Sequence, residues 1–185
     1  MDNAGTEPIG DRPPALTYSE IGVTGSAQLP PGYHHQRRMQ RIGCGHEQFV
    51  AAARRLMSWE MHRRAGIRVD VDPPVFPDQI ALLKLQLGPL KITAPVRVVY
   101  LVEEPRERGF AYGTLASHPE IGEERFVVRI DEREIVWAEI RAFSRPGRWF
   151  TRLGGPVARR IQDAMTQKYL DALDSTRYSP SDDDK

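Results

Sequence analysis

Six strand-like segments follow one another in the middle of this chain, with only short turns between most of them, and that succession constrains the fold more than any other feature. Ile67, Val69 and Val71 alternate with Arg68 and Asp70. Gln79 to Leu87, Lys91 to Glu103, Gly109 to Leu115, Glu123 to Ile130 and Ile135 to Phe143 are five further segments. The turns are Gly88-Pro89, Pro105 to Arg108, His118 to Gly122, and Asp131 to Glu134. Connections this short join antiparallel neighbours, because a parallel crossover needs a dozen residues or more. In the fifth segment Glu124, Phe126, Val128 and Ile130 share one face. In the sixth, Val136, Ala138, Ile140 and Ala142 do so.

Two helical patterns flank the strands. After the turn signal Leu29-Pro30-Pro31-Gly32 and a first strand from Tyr33 to Ile42, the run Gly43-Cys44-Gly45 breaks the chain. A helix from about His46 to Arg64 is then expected, with Phe49, Val50, Ala53, Leu56, Met57 and Met61 as its apolar stripe and Gly66 as its stop. A last helix is expected after Ser144-Arg145-Pro146. Trp149 to Leu153 forms its early part, a bend falls at Gly154-Gly155-Pro156, and Val157, Ile161, Ala164, Met165, Tyr169 and Ala172 form its stripe. An antiparallel sheet must cover one face, so this stripe should lie on it. The expected fold class is α+β: a curved antiparallel sheet wrapped around a long C-terminal helix, with one earlier helix after the first strand. Such surfaces curve differently and leave a cavity between them.

The chain has 185 residues, which suits a single domain from 16 to 175, with a flexible leader over 1–15 and a polar tail over 176–185. Its 40% hydrophobic and 28% charged residues exclude a wholly disordered chain. Cys44 is the single cysteine, so neither an internal disulfide nor a paired-cysteine zinc or redox motif can form. The first fifteen residues lack the pattern of a secretory signal, and no apolar run approaches the length of a membrane span. A cytoplasmic location is the default expectation.

Several segments together resemble a known family. They are Leu16-Thr17-Tyr18, Pro31-Gly32-Tyr33-His34-His35, Trp59 to Gly66, Gly109 to Leu115, His118-Pro119-Glu120 with Gly122-Glu123-Glu124, and Ala142 to Pro146. In order, from about Leu16 to Leu173, they resemble the family of the domain of unknown function 1990, found in bacteria and plants. The resemblance implies no activity. The element order is similar to the helix-grip superfamily of START-like and polyketide-cyclase-like proteins, which bind lipids, hormones or polyketides in a cavity and in some cases act on them there. That likeness implies a fold and a mode of binding by analogy alone.

Candidate chemistry gathers in a few places. His118, Glu120, Glu123 and Glu124 fall within one turn and the start of a strand. His118 and Glu124 are the candidate catalytic pair, as base and orienter. If the face of Phe126 and Val128 is concave, Glu124 points into an apolar site and its pKa rises. A solvated turn with Glu124 paired to an arginine is the plainer alternative. Tyr33 and His34 are candidate ligand contacts, with His34 and His35 necessarily on opposite faces of a strand. His62 and Arg63, at the end of the first helix, either complement its dipole or clamp an anionic group. Tyr112 and Trp137 offer aromatic bodies with polar tips. No metal and no cofactor is implied, and the zinc-deaminase pattern fails because no cysteine follows Cys44.

Three functions therefore stand as expectations. The first is binding of a small apolar or amphipathic molecule, with a polar or anionic group, in a cavity between sheet and C-terminal helix. The second is a cofactor-independent cyclase, dehydratase or hydrolase using His118 and Glu124. The third is an interaction module whose arginine-rich segment 33–68 docks an acidic partner. Nucleic acid is not expected as a partner, because the whole chain carries a net charge of only +1.

Overall fold

In a computed structural model, residues 13–147 and 155–174 are described. Seven strands form one sheet: β1 (His34–Cys44), β2 (Arg68–Asp70), β3 (Ile80–Leu87), β4 (Leu90–Glu104), β5 (Glu107–Thr114), β6 (Glu120–Ile130) and β7 (Ile135–Pro146). Every pairing is antiparallel, in the order β1-β7-β6-β5-β4-β3-β2. The helices are α1 (His46–Met57), α2 (Glu60–Arg64) and α3 (Gly155–Leu173). The sheet is curved, with register shifts at Arg41/Gly43 and Val98/Tyr100, and α3 lies on it. A β-bulge bends its strand and increases local twist, which helps a long sheet turn around a helix. The α+β class, the antiparallel sheet and the C-terminal helix are as expected.

The inner face holds the core. Val98, Phe110, Phe126, Val128, Val136, Ala138 and Ile140 are all at most 1% exposed and alternate along their strands as the sequence pattern requires. Leu56 and Met61 from the first two helices, and Leu170 and Leu173 from α3, close over them.

The outer face is covered too, which the sequence did not suggest. Residues from Thr17 to the short 3-10 helix Val23–Gly25 run across it. Tyr18 packs edge-on against Phe143, 5.5 Å between ring centroids. Gly113 makes room for that ring: a Cβ there would lie 2.2 Å from the Tyr18 hydroxyl. This second cover explains why β5 and β6 are buried on both faces in their central parts.

The expected single helix over 46–64 is two helices. Trp59 adopts a left-handed conformation at φ 62° and turns the chain between them. Such a conformation costs about 1–2 kcal/mol. Burying an indole of roughly 200 Å² is worth about 5 kcal/mol, so the packing wins. Trp59 is fully buried, donates to Gln79 Oε1 at 3.1 Å and meets Phe110 at 4.9 Å. Val50, assigned above to the apolar stripe, is exposed, and Ala52 takes its place in the core. β6 and β7 each run three residues beyond their expected limits, so Glu120 to Gly122 belongs to a strand rather than a turn. The expected early helix Trp149 to Leu153 lies outside the described residues, as do residues 1–12 of the leader and the tail.

Candidate functional site

Strand β6 carries the groups that matter most. Residues two apart on a strand share a face, so Glu120, Gly122, Glu124, Phe126 and Val128 all face inward. The last two lie in the solid core; the first three border a cavity of about 150 Å³, partly open to solvent, between the sheet and α3. One wall of this cavity is apolar, made by Leu83 and Leu85 of β3 and Ile92 and Ala94 of β4. Hydrogen-bonding groups come from Glu120, Glu124, Tyr112 and Ser144 of the sheet and Gln162 and Tyr169 of α3, beside the apolar Ile161 and Met165 of α3. No lysine or arginine lines the cavity among the described residues.

Gly122 separates the two glutamates. Its φ is +155°, and a Cβ there would lie 2.0 Å from the Phe143 carbonyl oxygen, so only glycine fits. Its N–H donates to Thr114 Oγ1 at 3.0 Å. Glu124 accepts from the Tyr112 hydroxyl at 2.9 Å, and Glu120 accepts from Gln162 Nε2 at 3.3 Å. Gln162 also donates to Ser144 Oγ at 3.1 Å.

Burial governs the electrostatics. It raises the Glu124 carboxyl from 4.5 to about 7, against the lowering effect of the Tyr112 hydrogen bond, and the charge of Glu120 adds to the rise. Burial likewise raises Glu120 to about 7. The Tyr112 and Tyr169 hydroxyls are pushed well up by burial and then by Glu124, so both stay protonated. His118 is lowered to about 4, again chiefly by burial. Its Nδ1 lies 2.9 Å from both the backbone nitrogen and the carbonyl oxygen of Glu120, so the main chain of that residue holds this edge of the ring.

Three of the expected site residues meet at this cavity: Tyr112, His118 and Glu124. His118 and Glu124 converge on one space, with the Nδ1 edge of the His118 ring held by the Glu120 main chain. The other five lie elsewhere. Trp137 has the opposite parity to Val136 and Ala138, so it stands on the outer face, where its indole donates to Asp131 Oδ2 at 3.0 Å. Tyr33 is also outside, against Phe143 at 4.9 Å and donating to Glu20 Oε2 at 3.0 Å. His34 has inward parity through its pairing with Ser144 but is exposed and does not line the cavity. His35 has outward parity, with Nε2 2.7 Å from the Pro30 carbonyl oxygen. Arg63 binds the carbonyls of Ser58 and Val71 at 2.7 and 2.9 Å, a clip between α2 and the segment after β2.

His62 is wholly buried among the rings of Trp59, Phe110, Tyr112, Phe126 and Tyr169, at 4.9 to 6.2 Å. Neither ring nitrogen has a hydrogen-bond partner among the described residues, and burial lowers its pKa to about 3. It is a neutral part of the aromatic core behind the cavity. The arginine-rich segment 33–68 does not form one surface: Arg37 and Arg38 sit on β1 and Arg68 on β2, at opposite edges of the sheet. Arg37 pairs with Glu139 at 3.1 Å and Arg38 with Asp163 at 3.6 Å.

Gln162 and Ser144 were not singled out from the sequence, Tyr169 was read only as part of the stripe of α3, and Glu120 was grouped with His118 and Glu124 without a site role of its own. A signal existed for Glu120, which stands four residues before Glu124 and so shares its strand face; reading His118 to Gly122 as a turn concealed it. For Gln162 no pattern in the chain pointed to the sheet it meets.

Comparison with known proteins agrees with this architecture. The family model described as Domain of unknown function (DUF1990) matches residues 17–172. A UPF0548 protein of Deinococcus radiodurans is 30% identical over 173 residues, covering 88% of this chain and 87% of its own. A UPF0548 protein of Arabidopsis thaliana is 28% identical over 138 residues, covering 71% and 67%. Among solved structures, the Zhui aromatase/cyclase of a Streptomyces species is similar with a TM-score of 0.55 at 12% identity, over 78% of this chain and 93% of that one. A hypothetical protein of Helicobacter pylori also gives 0.55 at 12% identity, over 82% and 95%. At such identities these structures establish the helix-grip fold and nothing further.

Proposed function

We propose that this chain, which belongs to the DUF1990 family, binds a small amphiphilic molecule in the cavity between sheet and C-terminal helix. The observation that carries the reading is the division of that cavity into an apolar wall on β3 and β4 and a hydrogen-bonding wall on β5, β6 and α3. A molecule lying across it would pack its body on Leu83, Leu85 and Ile92 and present its polar group to Tyr112, Glu120, Glu124 and Gln162. The volume sets the scale: a cavity of roughly 150 Å³ accepts a benzene-sized body. Lipids and polyketides are far larger than this, so the ligand class of the helix-grip superfamily does not transfer unchanged. An anionic group is also disfavoured, because the polar wall holds two carboxylates and no lining cation among the described residues.

The test is the mass of the purified protein under native conditions against its denatured mass. A discrete excess of about 100–150 Da, lost on denaturation, is the expected result for an occupant of the size this volume admits. An excess of lipid size retained by the native protein would contradict the reading.

A further inference from the structure

We propose that the occupant of this cavity is a small organic amine, bound as its ammonium ion against Glu124 and Glu120; this rests on the binding reading above and names its ligand class. The argument begins with charge. The titratable groups around the space are Glu120 and Glu124 on β6, His118 just before it, Tyr112 on β5 and Tyr169 on α3. Glu123 also borders it, but its carboxylate is turned to the outer face, where Tyr18, Gly22 and Thr24 hold it. His118 is neutral, and the tyrosines are protonated. The field in the cavity is therefore that of two carboxyl groups with no counter-ion among the described lining residues.

Chemistry then selects among ligands. An ionised carboxylate taken out of water is costly unless a charge accompanies it. Glu124 receives one hydrogen bond, from Tyr112, whereas a carboxylate can accept about four. Neutral donors such as Tyr112, Ser144 and Gln162 leave both acids easily protonated. An ammonium group supplies the missing charge and three N–H donors at once. An anion would be repelled by the same pair. A bare metal ion is a poor fit, since no group of three ligating side chains exists among the described residues and the facing wall is Leu83, Leu85, Ile92 and Ala94. That wall suits a hydrocarbon body, and the volume matches one of roughly six to eight heavy atoms.

Protons couple to this event. An ammonium ion stabilises the ionised glutamates, so binding near neutral pH releases protons from Glu120 and Glu124 and tightens as pH rises from 6 to 8.

The experiment is calorimetric titration of the full chain with three molecules of one shape: benzylamine, benzyl alcohol and benzoate. At pH 7, in two buffers of different ionisation enthalpy, benzylamine should bind at least tenfold more tightly than benzyl alcohol, with benzoate weakest and with net proton release for the amine alone. In E124Q and in E120Q, each checked for native unfolding behaviour, the amine preference should shrink at least threefold while benzyl alcohol binding persists. Benzyl alcohol or benzoate binding as tightly as benzylamine would overturn the amine assignment and leave the cavity reading intact. Failure of all three to bind would overturn both.

Discussion

Glu123 and Glu124 are neighbours in sequence with opposite circumstances. Glu123 faces the outer side of the sheet and accepts four hydrogen bonds: from the Tyr18 hydroxyl and the Gly22 N–H at 2.7 Å each, the Thr24 N–H at 2.9 Å and the Thr24 hydroxyl at 2.5 Å. Glu124 faces inward, accepts one from Tyr112 among the described residues, and borders the cavity. The first carboxylate is saturated by its own chain and fastens residues 17–25 to the sheet. The second is held with acceptor capacity to spare. Saturation marks a structural role, and unused capacity in a cavity marks a site where something else can bind.

Replacing each residue separates the two roles. Glu123→Ala leaves four donor groups of the outer segment without their acceptor, and should destabilise the protein by about 4 kcal/mol or more, since each buried unsatisfied group costs about 1–3 kcal/mol. At pH 5, where Glu124 is still protonated, Glu124→Gln keeps the shape and exchanges one neutral group for another, so its effect should stay within about 1 kcal/mol in either direction. Urea unfolding of both variants measures the contrast. Equal losses would mean that Glu124 is as structural as Glu123.

Stability should also vary with pH. Glu120 and Glu124 titrate near about 7 in the folded chain and near 4.5 when unfolded. Their contribution favours the folded state below 4.5 and is lost as pH rises through about 7. His62 and His118 act in the other sense: lowered from 6.5 to about 3 and about 4, they favour the folded state above 6.5 and cost stability as pH falls. The two pairs therefore oppose one another between pH 4.5 and 6.5. Removing the acids with E120Q/E124Q exposes the histidine contribution alone. The double variant should gain stability relative to the parent as pH rises from 4.5 to 7.5, with the gain levelling beyond that range. A constant difference across those pH values would show that the two carboxyls are not shifted.

Much of the architecture was legible because it depends on alternation. The apolar positions of β6 and β7 alternate so regularly that the inner face follows from the letters, and the short turns fix antiparallel order. Features that depend on distant contacts were not legible. The break at Trp59 arises because its indole is drawn into a core that includes Gln79 and Phe110, and nothing local announces it. The covering of the outer face by residues 17–25 depends on Gly113 and Glu123, which read locally as ordinary strand residues. At the site, Glu124 and Tyr112 were recoverable from parity. Trp137 was excludable by the same rule, since it alternates with Val136 and Ala138. His62 and Arg63 fit a ligand role by residue type alone; the first belongs to the aromatic core and the second to a loop clip.

The most direct test of the central claim is a titration of benzylamine into protein carrying carbon-13 in its methionine methyl groups. Met165 lines the cavity, Met61 is buried in the solid core, and Met39 is exposed on β1. The account predicts a saturable shift of the Met165 methyl signal, with Met61 and Met39 little changed. A saturable response at Met39 with none at Met165, or no saturable response at any of the three, would contradict a binding cavity between the sheet and α3.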